Sequence, residues 1–117
     1  MAAIARAETG HAELVSSEAL LYEIERNPDP IRRNFALKML AVAKRFVHVT
    51  SEIEQRAAQL ARGGLTALDA LHVACAEAAA ADVFCTCDER ILRKAQTLQN
   101  SSTKWLNPAT LVAELHK

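Results

Sequence analysis

The sequence predicts an α/β fold, a three-layer sandwich in which a mostly parallel sheet has helices on both faces. Short apolar runs alternate along the chain with longer segments of helical periodicity, and this alternation builds right-handed crossovers between parallel strands. Half of the residues are hydrophobic, with 23 alanines but only five aromatic residues, which indicates helices packed closely through small side chains. A chain of 117 residues is expected to form a single domain over residues 1–117.

The chain opens with residues 2–8, whose composition indicates the end of a helix that stops at Gly10. Residues 13–17 predict a short strand, which runs directly into a helix over residues 18–27. We therefore expect the sheet to begin at Glu13 and no strand to precede it.

A second helix is expected after the break at Pro28, with Asp29 as its cap and Pro30 at its first position. Four apolar residues at helical spacing predict one stripe along it: Phe35, Met39, Val42 and Phe46. Residues 47–50 are β-branched enough to predict a short strand.

The rest of the chain repeats the pattern of helix and strand. The capping-box pattern over residues 51–54 opens a helix that ends at the glycine pair 63–64. Residues 66–81 predict a largely buried helix, and residues 82–87 a buried strand. A further helix begins at Asp88, residues 104–106 form a last short strand, and the dipeptide 107–108 opens a last helix.

Composition excludes several classes of function. The 14 basic residues balance 14 acidic ones, so no global basic field marks a nucleic-acid-binding protein. Only three glycines are present, which excludes a P-loop and a glycine-rich dinucleotide fingerprint. Cys75, Cys85 and Cys87 lack zinc-site spacing and are expected to be thiols of a cytoplasmic protein. We expect no signal peptide and no membrane contact.

Three carboxylates are predicted to meet at the carboxyl edge of the parallel strands, where α/β sheets bind ligands. Asp69 lies in the first turn of its helix, Asp88 at the end of the strand over residues 82–87, and Glu23 within two turns of the helix that follows residues 13–17. Such acids repel one another unless a cation lies between them, and oxygen-only ligands suit Mg²⁺ or Mn²⁺.

Each acid also has a purely structural explanation. Asp69 follows Thr66 by three residues, as in a capping box, and Asp88 fits an ordinary N-cap. Helical periodicity does not distinguish Glu23 from Glu25.

Two further groups admit both a structural and a functional interpretation. His72 could be a metal ligand, but a hydrogen-bonded core histidine is the commoner occurrence in so apolar a helix. Arg90, Arg93 and Lys94 share one helix face, which either meets a phosphate backbone or, more commonly, is simply solvated.

The run DALHVACAEAAAADVFCTCDERILRKA, followed by WLNP at residues 105–108, resembles the carboxyl-terminal half of a PIN domain, the fold of VapC-type toxin ribonucleases. The resemblance implies that Asp69 and Asp88 bind the metal and that Thr86 is the hydroxyl residue of the site. The phrase VSSEALLYE is similar to the family's strand-to-helix phrase, which selects Glu23 over Glu25.

PIN domains begin with a hydrophobic strand that lies at the centre of the sheet and ends in a metal-binding Asp. No counterpart precedes Glu13, so we expect a PIN-like sandwich whose first central strand is absent and which is amino-terminally truncated relative to the family. A truncated product, a misplaced start and a degenerate relative without catalysis all remain open explanations.

Two functions follow from these expectations. The first is a VapC-like ribonuclease that hydrolyses RNA phosphodiesters, with Glu23, Asp69 and Asp88 holding Mg²⁺ or Mn²⁺ and Thr86 supporting them. The alternative is a non-catalytic PIN-like module for oligomerisation or partner binding. RNA and an antitoxin protein are partners by resemblance only. The amino-terminal segment is a poor strand former, so the unpaired edges beside the gap predict a homodimer or higher oligomer.

Overall fold

The computed structural model describes residues 2–5, 13–41, 43–86, 89–95, 103–107, 109–110 and 113. No helix within these residues is long and apolar enough to cross a membrane. The strands of the described chain are β1 (Ala2–Ala5), β2 (Glu13–Ser17), β3 (Arg45–Val47), β4 (Val83–Cys85) and β5 (Lys104–Leu106). Its helices are α1 (Glu18–Glu25), α2 (Pro30–Ala41), α3 (Ser51–Arg62), α4 (Ala67–Ala78) and α5 (Glu89–Ala95).

The strands form one sheet in the order β3-β2-β1-β4-β5. β2 pairs with β3 in parallel and β4 pairs with β5 in parallel, whereas β1 is antiparallel to both of its neighbours. Four of the five strands therefore run in the same direction, and the predicted α/β class with a mostly parallel sheet is confirmed.

The expectation that no strand precedes Glu13 is wrong. Residues 2–5 form β1 rather than the end of a helix, and Ala3 pairs with Val15 on one side and with Phe84 on the other. The alanine-rich segment has low intrinsic strand propensity. The unpaired N–H and C=O groups of both neighbours outweigh this preference, because buried backbone groups require hydrogen-bond partners.

One face of the sheet carries the main core. Val15, Phe84 and Trp105 share this face because the first two pair with the same β1 residue and the last two pair with each other. Phe84 and Trp105 belong to the buried cluster that also contains Leu60 of α3 and Val73 of α4. Alanine is the commonest buried residue, in agreement with the close helix packing predicted from composition.

Helices α3 and α4 are joined across their packed faces by an ion pair. Arg56 donates from two guanidinium nitrogens to the Glu77 carboxylate, at 2.7 and 3.2 Å. The bond to Glu77 raises the pKa of Arg56 above its ordinary value. This bidentate geometry adds a directional contact to the apolar packing between the two helices.

Hydroxyl side chains start three of the helices. Ser17 Oγ accepts from the backbone N–H of Leu20 at the start of α1, and Thr50 Oγ1 accepts from the N–H of Ile53 at the start of α3. Thr66 caps α4. The α3 cap lies one residue before the capping box that the sequence suggested.

The apolar stripe predicted for α2 is wrong. The helix ends at Ala41, and Phe46 belongs to β3, so the four residues of the stripe do not share one helix. Phe35 is 67% exposed, and Val42 lies outside the described residues. β3 itself begins at Arg45, two residues before the predicted strand.

Helix α4 ends three residues earlier than predicted, in a left-handed cap. Ala80 has a φ of 55° and its N–H donates to the Glu77 carbonyl, while the N–H of Ala81 donates to the Ala76 carbonyl. These two bonds define a Schellman motif, in which glycine is the usual residue at the left-handed position.

We expect Ala80→Gly to raise the free energy of unfolding by about 1 kcal/mol, because glycine adopts positive φ without a Cβ clash. Urea denaturation measures the change. The matched control is Ala58→Gly in the exposed middle of α3, which should lower stability by about 1 kcal/mol. A loss of stability in both variants would contradict the left-handed cap.

Candidate active site

A cleft of about 440 Å³ opens between the loop that joins α3 to α4, the first turn of α4, and α5. We call it the Asp69 cleft. Among the described residues, its polar lining combines one carboxylate with three cationic side chains, which is the charge pattern of a site for an anion beside an acid. The lining residues are Gly64, Leu65, Thr66, Asp69, Arg90, Ile91, Arg93 and Lys94.

Asp69 forms only half of the predicted capping box. Its backbone N–H donates to Thr66 Oγ1 at 3.2 Å. Its half-buried carboxylate makes no hydrogen bond or ion pair with another described residue, so the reciprocal capping bond is not formed there. Helix capping therefore does not occupy this carboxylate, which lines the cleft.

Glu23 and His72 form a hydrogen bond between α1 and α4. Glu23 Oε2 lies 2.8 Å from His72 Nε2, and the His72 side chain is only 3% exposed. The predicted interpretation of His72 as a hydrogen-bonded core histidine is confirmed. Glu25, which periodicity did not distinguish from Glu23, is exposed.

The pair links Glu23 of α1 to the helix that carries Asp69. His72 follows Asp69 by three residues on the same helix, and residues at this spacing are neighbours on a helix surface. Glu23 itself is not among the residues that line the Asp69 cleft. Mg²⁺ is commonly held by one or two carboxylates together with water and substrate phosphate, so the Asp69 carboxylate is a ligand of the type that Mg²⁺ or Mn²⁺ prefers.

The predicted set of three acids stays a prediction, because Asp88 lies outside the described residues. Within the residues that are described, no three His, Cys, Asp or Glu side chains are grouped to hold a metal ion. Thr86 follows β4 directly, is 2% exposed, and donates its N–H to the Leu106 carbonyl at 2.9 Å. It does not line the Asp69 cleft.

One lining feature escaped the sequence interpretation. The sequence predicts Gly64 only as a helix stop, but its φ is +114° and a Cβ built on it would lie 2.6 Å from Lys94 Nζ. The glycine thus lets the lysine approach the loop closely. The sequence signal for this close approach was the second glycine of the pair, because one glycine is enough to end a helix.

The three cationic residues of α5 line the cleft and do not lie on a surface away from it. Arg90, Arg93 and Lys94 all line it, and Arg93 Nε also donates to the Glu89 carbonyl at 3.4 Å. A phosphate in the cleft would therefore meet guanidinium and ammonium groups together, the groups that most often contact nucleic-acid backbones.

Comparison with known proteins identifies the family. The PIN domain family matches residues 1–97, so the chain belongs to this family, as its motifs indicated. PIN domains are generally nucleases and typically use divalent metal ions. No curated protein and no solved structure matches the chain significantly.

This chain departs from the family pattern at its first strand. β1 reads Ala-Ala-Ile-Ala and carries none of the acids that the resemblance associates with the central strand. Asp69 is therefore the one carboxylate among the described residues that line the cleft.

We expect Glu23→Gln to lower the free energy of unfolding at neutral pH by about 1 kcal/mol, because the partly exposed Glu23 loses a charge-assisted bond. The bond to His72 lowers the pKa of Glu23 from its ordinary value of 4.5. The stabilisation is therefore complete above pH 4.5 and is lost as the pH falls through the lowered pKa.

Urea titrations of both proteins across this pH range measure the effect. The difference between wild type and Glu23→Gln should shrink towards zero in acid, whereas Glu25→Gln should differ little from wild type throughout. A difference that does not vary with pH would contradict the charged bond.

Proposed function

We propose that this chain is a divalent-metal-dependent ribonuclease of the VapC type, which hydrolyses phosphodiester bonds in RNA. One observation carries the proposal: the Asp69 carboxylate, free of capping, lines the same cleft as the three cations of α5. A nuclease needs an acid to hold the metal and cations to hold the negatively charged backbone, and this cleft brings the two together.

Asp69 and Glu23 would hold the ion through carboxylate oxygens, and Asp88 would complete the set. When bound, a divalent ion lowers the pKa of a water and offsets negative charge on the phosphate. Arg93 and Lys94 would bind and orient the phosphodiester from the opposite side of the cleft. The buried Thr86 would support the strand end next to Asp88.

An antitoxin protein as partner and a cytoplasmic location belong to the same proposal. Both follow from the resemblance to VapC-type toxins.

A non-catalytic module is the second candidate, and the surface of α2 favours it. Ile31 is 81% exposed and Phe35 67% exposed, and they lie four residues apart on one face of the helix. The sheet gives no reason to expect an oligomer, because β1 pairs with the edges of both β2 and β4. An apolar pair of this kind instead suggests α2 as the contact in a homodimer.

The nuclease proposal is tested with single-stranded RNA labelled at its 5′ end. We expect cleavage that requires Mg²⁺ or Mn²⁺ and falls by at least about 10²-fold in Asp69→Asn, since the carboxylate that holds the ion is lost. Glu54→Gln removes an exposed acid of α3 and should cleave like wild type.

Binding of the same RNA without divalent metal tests the cationic wall separately. Arg93→Gln should weaken binding and reduce its salt dependence by about one ion, while Arg45→Gln on β3 should do neither. Metal-independent cleavage, or cleavage that survives in Asp69→Asn, would contradict the proposed chemistry. RNA binding without any cleavage would favour the non-catalytic module.

For the assembly, we expect light scattering to report a dimer for the wild-type chain and a monomer for Phe35→Asp. A buried charge at an apolar contact is costly, whereas the same charge on a solvated helix is not. A wild-type chain that is monomeric at micromolar concentration would rule out the α2 contact.

A further inference from the structure

We propose that Lys94 is the principal phosphate-binding residue of the Asp69 cleft and that Gly64 is its positioning residue, because the absent side chain at position 64 leaves the space in which the lysine chain lies. This inference rests on the proposed binding of RNA in the cleft. It deepens that function by assigning the phosphate chiefly to one of the three cations, and it does not involve a metal ion.

The contact between Lys94 and Gly64 involves the whole end of the lysine side chain. A Cβ built on Gly64 would lie 2.6 Å from Nζ, 2.7 Å from Cε and 3.3 Å from Cδ of Lys94. Non-bonded carbon atoms pack at about 3.5–4.0 Å, so a side chain at position 64 does not fit while the lysine stays where it is. The last three atoms of the lysine therefore lie against the loop between α3 and α4.

Burial distinguishes Lys94 from the other two cations that line the cleft. Lys94 is half-buried, whereas Arg90 and Arg93 are exposed. A lysine whose stem packs against the protein has already lost part of its rotamer freedom, and ordering a freely rotating side chain on binding weakens affinity. An anion in the cleft therefore orders Lys94 at a smaller entropic cost than it orders either arginine.

The backbone of the same loop already uses three of its N–H groups. α3 ends in a Schellman motif, in which the Leu65 N–H donates to the Leu60 carbonyl at 3.4 Å and the Gly64 N–H donates to the Ala61 carbonyl at 3.0 Å. The Gly63 N–H also donates to the Leu60 carbonyl, at 3.0 Å. Gly64 thus contributes space for the lysine and not a donor for the anion.

The helix cap alone does not explain the glycine. The Schellman motif that ends α4 has Ala80 at the corresponding position, with a φ of 55°, so this chain accommodates a Cβ in one such cap. At position 64 two requirements act together: the φ of +114° and the space that Lys94 occupies. The variants must separate these two requirements.

The test measures the Kd of a fluorescein-labelled single-stranded RNA by anisotropy, in EDTA and over a series of salt concentrations. We expect Lys94→Met, which keeps an unbranched stem, to raise the Kd at least about 10-fold and to reduce the slope of log Kd against log salt by about 0.7, the value for one phosphate contact. Arg93→Gln should reduce the slope similarly but raise the Kd less. Gly64→Ala should raise the Kd about 3–10-fold and also reduce the slope, because its Cβ displaces the ammonium group.

Two controls separate the position of Lys94 from strain in the cap. Gly63→Ala adds a Cβ one residue earlier, where φ is −78°, and should change neither the Kd nor the slope. In a Lys94→Met background, Gly64→Ala should have no further effect on the Kd, because no charge is left to displace, although it still strains the cap.

A measurement on the wild-type chain covers the case in which Gly64→Ala does not fold. During titration with inorganic phosphate, the amide resonance of Gly64 should shift in the wild-type NMR spectrum and stay in place in Lys94→Met. A Gly64 resonance that does not move in the wild-type chain would overturn the subsite.

The outcomes separate this inference from the proposed function. If wild type binds no RNA, both fall. If binding requires Lys94 but no cleavage occurs in Mg²⁺, the phosphate subsite stands and the nuclease proposal is wrong. If Lys94→Met weakens binding no more than Arg93→Gln, the assignment to Lys94 is wrong. If Gly64→Ala binds like wild type, or acts equally in the Lys94→Met background, the positioning role of Gly64 is wrong.

Discussion

The structure depends on the central place of β1 in the sheet. The order β3-β2-β1-β4-β5 contains two parallel pairs, and in the described chain β1 alone joins them. Without it, β2 and β4 would each have an edge of unpaired N–H and C=O groups, at a cost of about 1–3 kcal/mol for each buried group. The need to pair these backbone groups is strong enough to hold an alanine-rich segment in an extended conformation.

The same pairing positions the candidate site. Since β1 is antiparallel to β2 and β4, those two strands run in the same direction and end at the same edge of the sheet. α1 leaves that edge from β2, and α4 runs from that edge back to the start of β4. Glu23 and His72 can therefore meet across two helices although they are 49 residues apart in sequence.

Local signals predicted most of the elements, and long-range pairing decided the ones that were missed. β2, α4 and β5 carry apolar patterns or caps that act within a few residues, and all three are observed. β1 owes its conformation to neighbouring strands, which no local pattern encodes, and β3 lies two residues earlier than its β-branched run predicted. In the site, spacing placed Asp69 at a helix start, but only the structure shows that its carboxylate is left out of the cap.

The positive charges that line the cleft favour the binding of an anion. Arg90 and Lys94 are four residues apart on α5, and like charges at this spacing destabilise a helix by a few tenths of a kcal/mol. Arg93 adds a third positive charge to the same wall, and Asp69 is the one acid among the described residues that line it. A phosphodiester bound there, as proposed, would place negative charge beside Asp69, and a divalent ion held by that carboxylate would offset the repulsion between them. Under the proposed function, the two ligands would therefore favour each other's binding in one cleft.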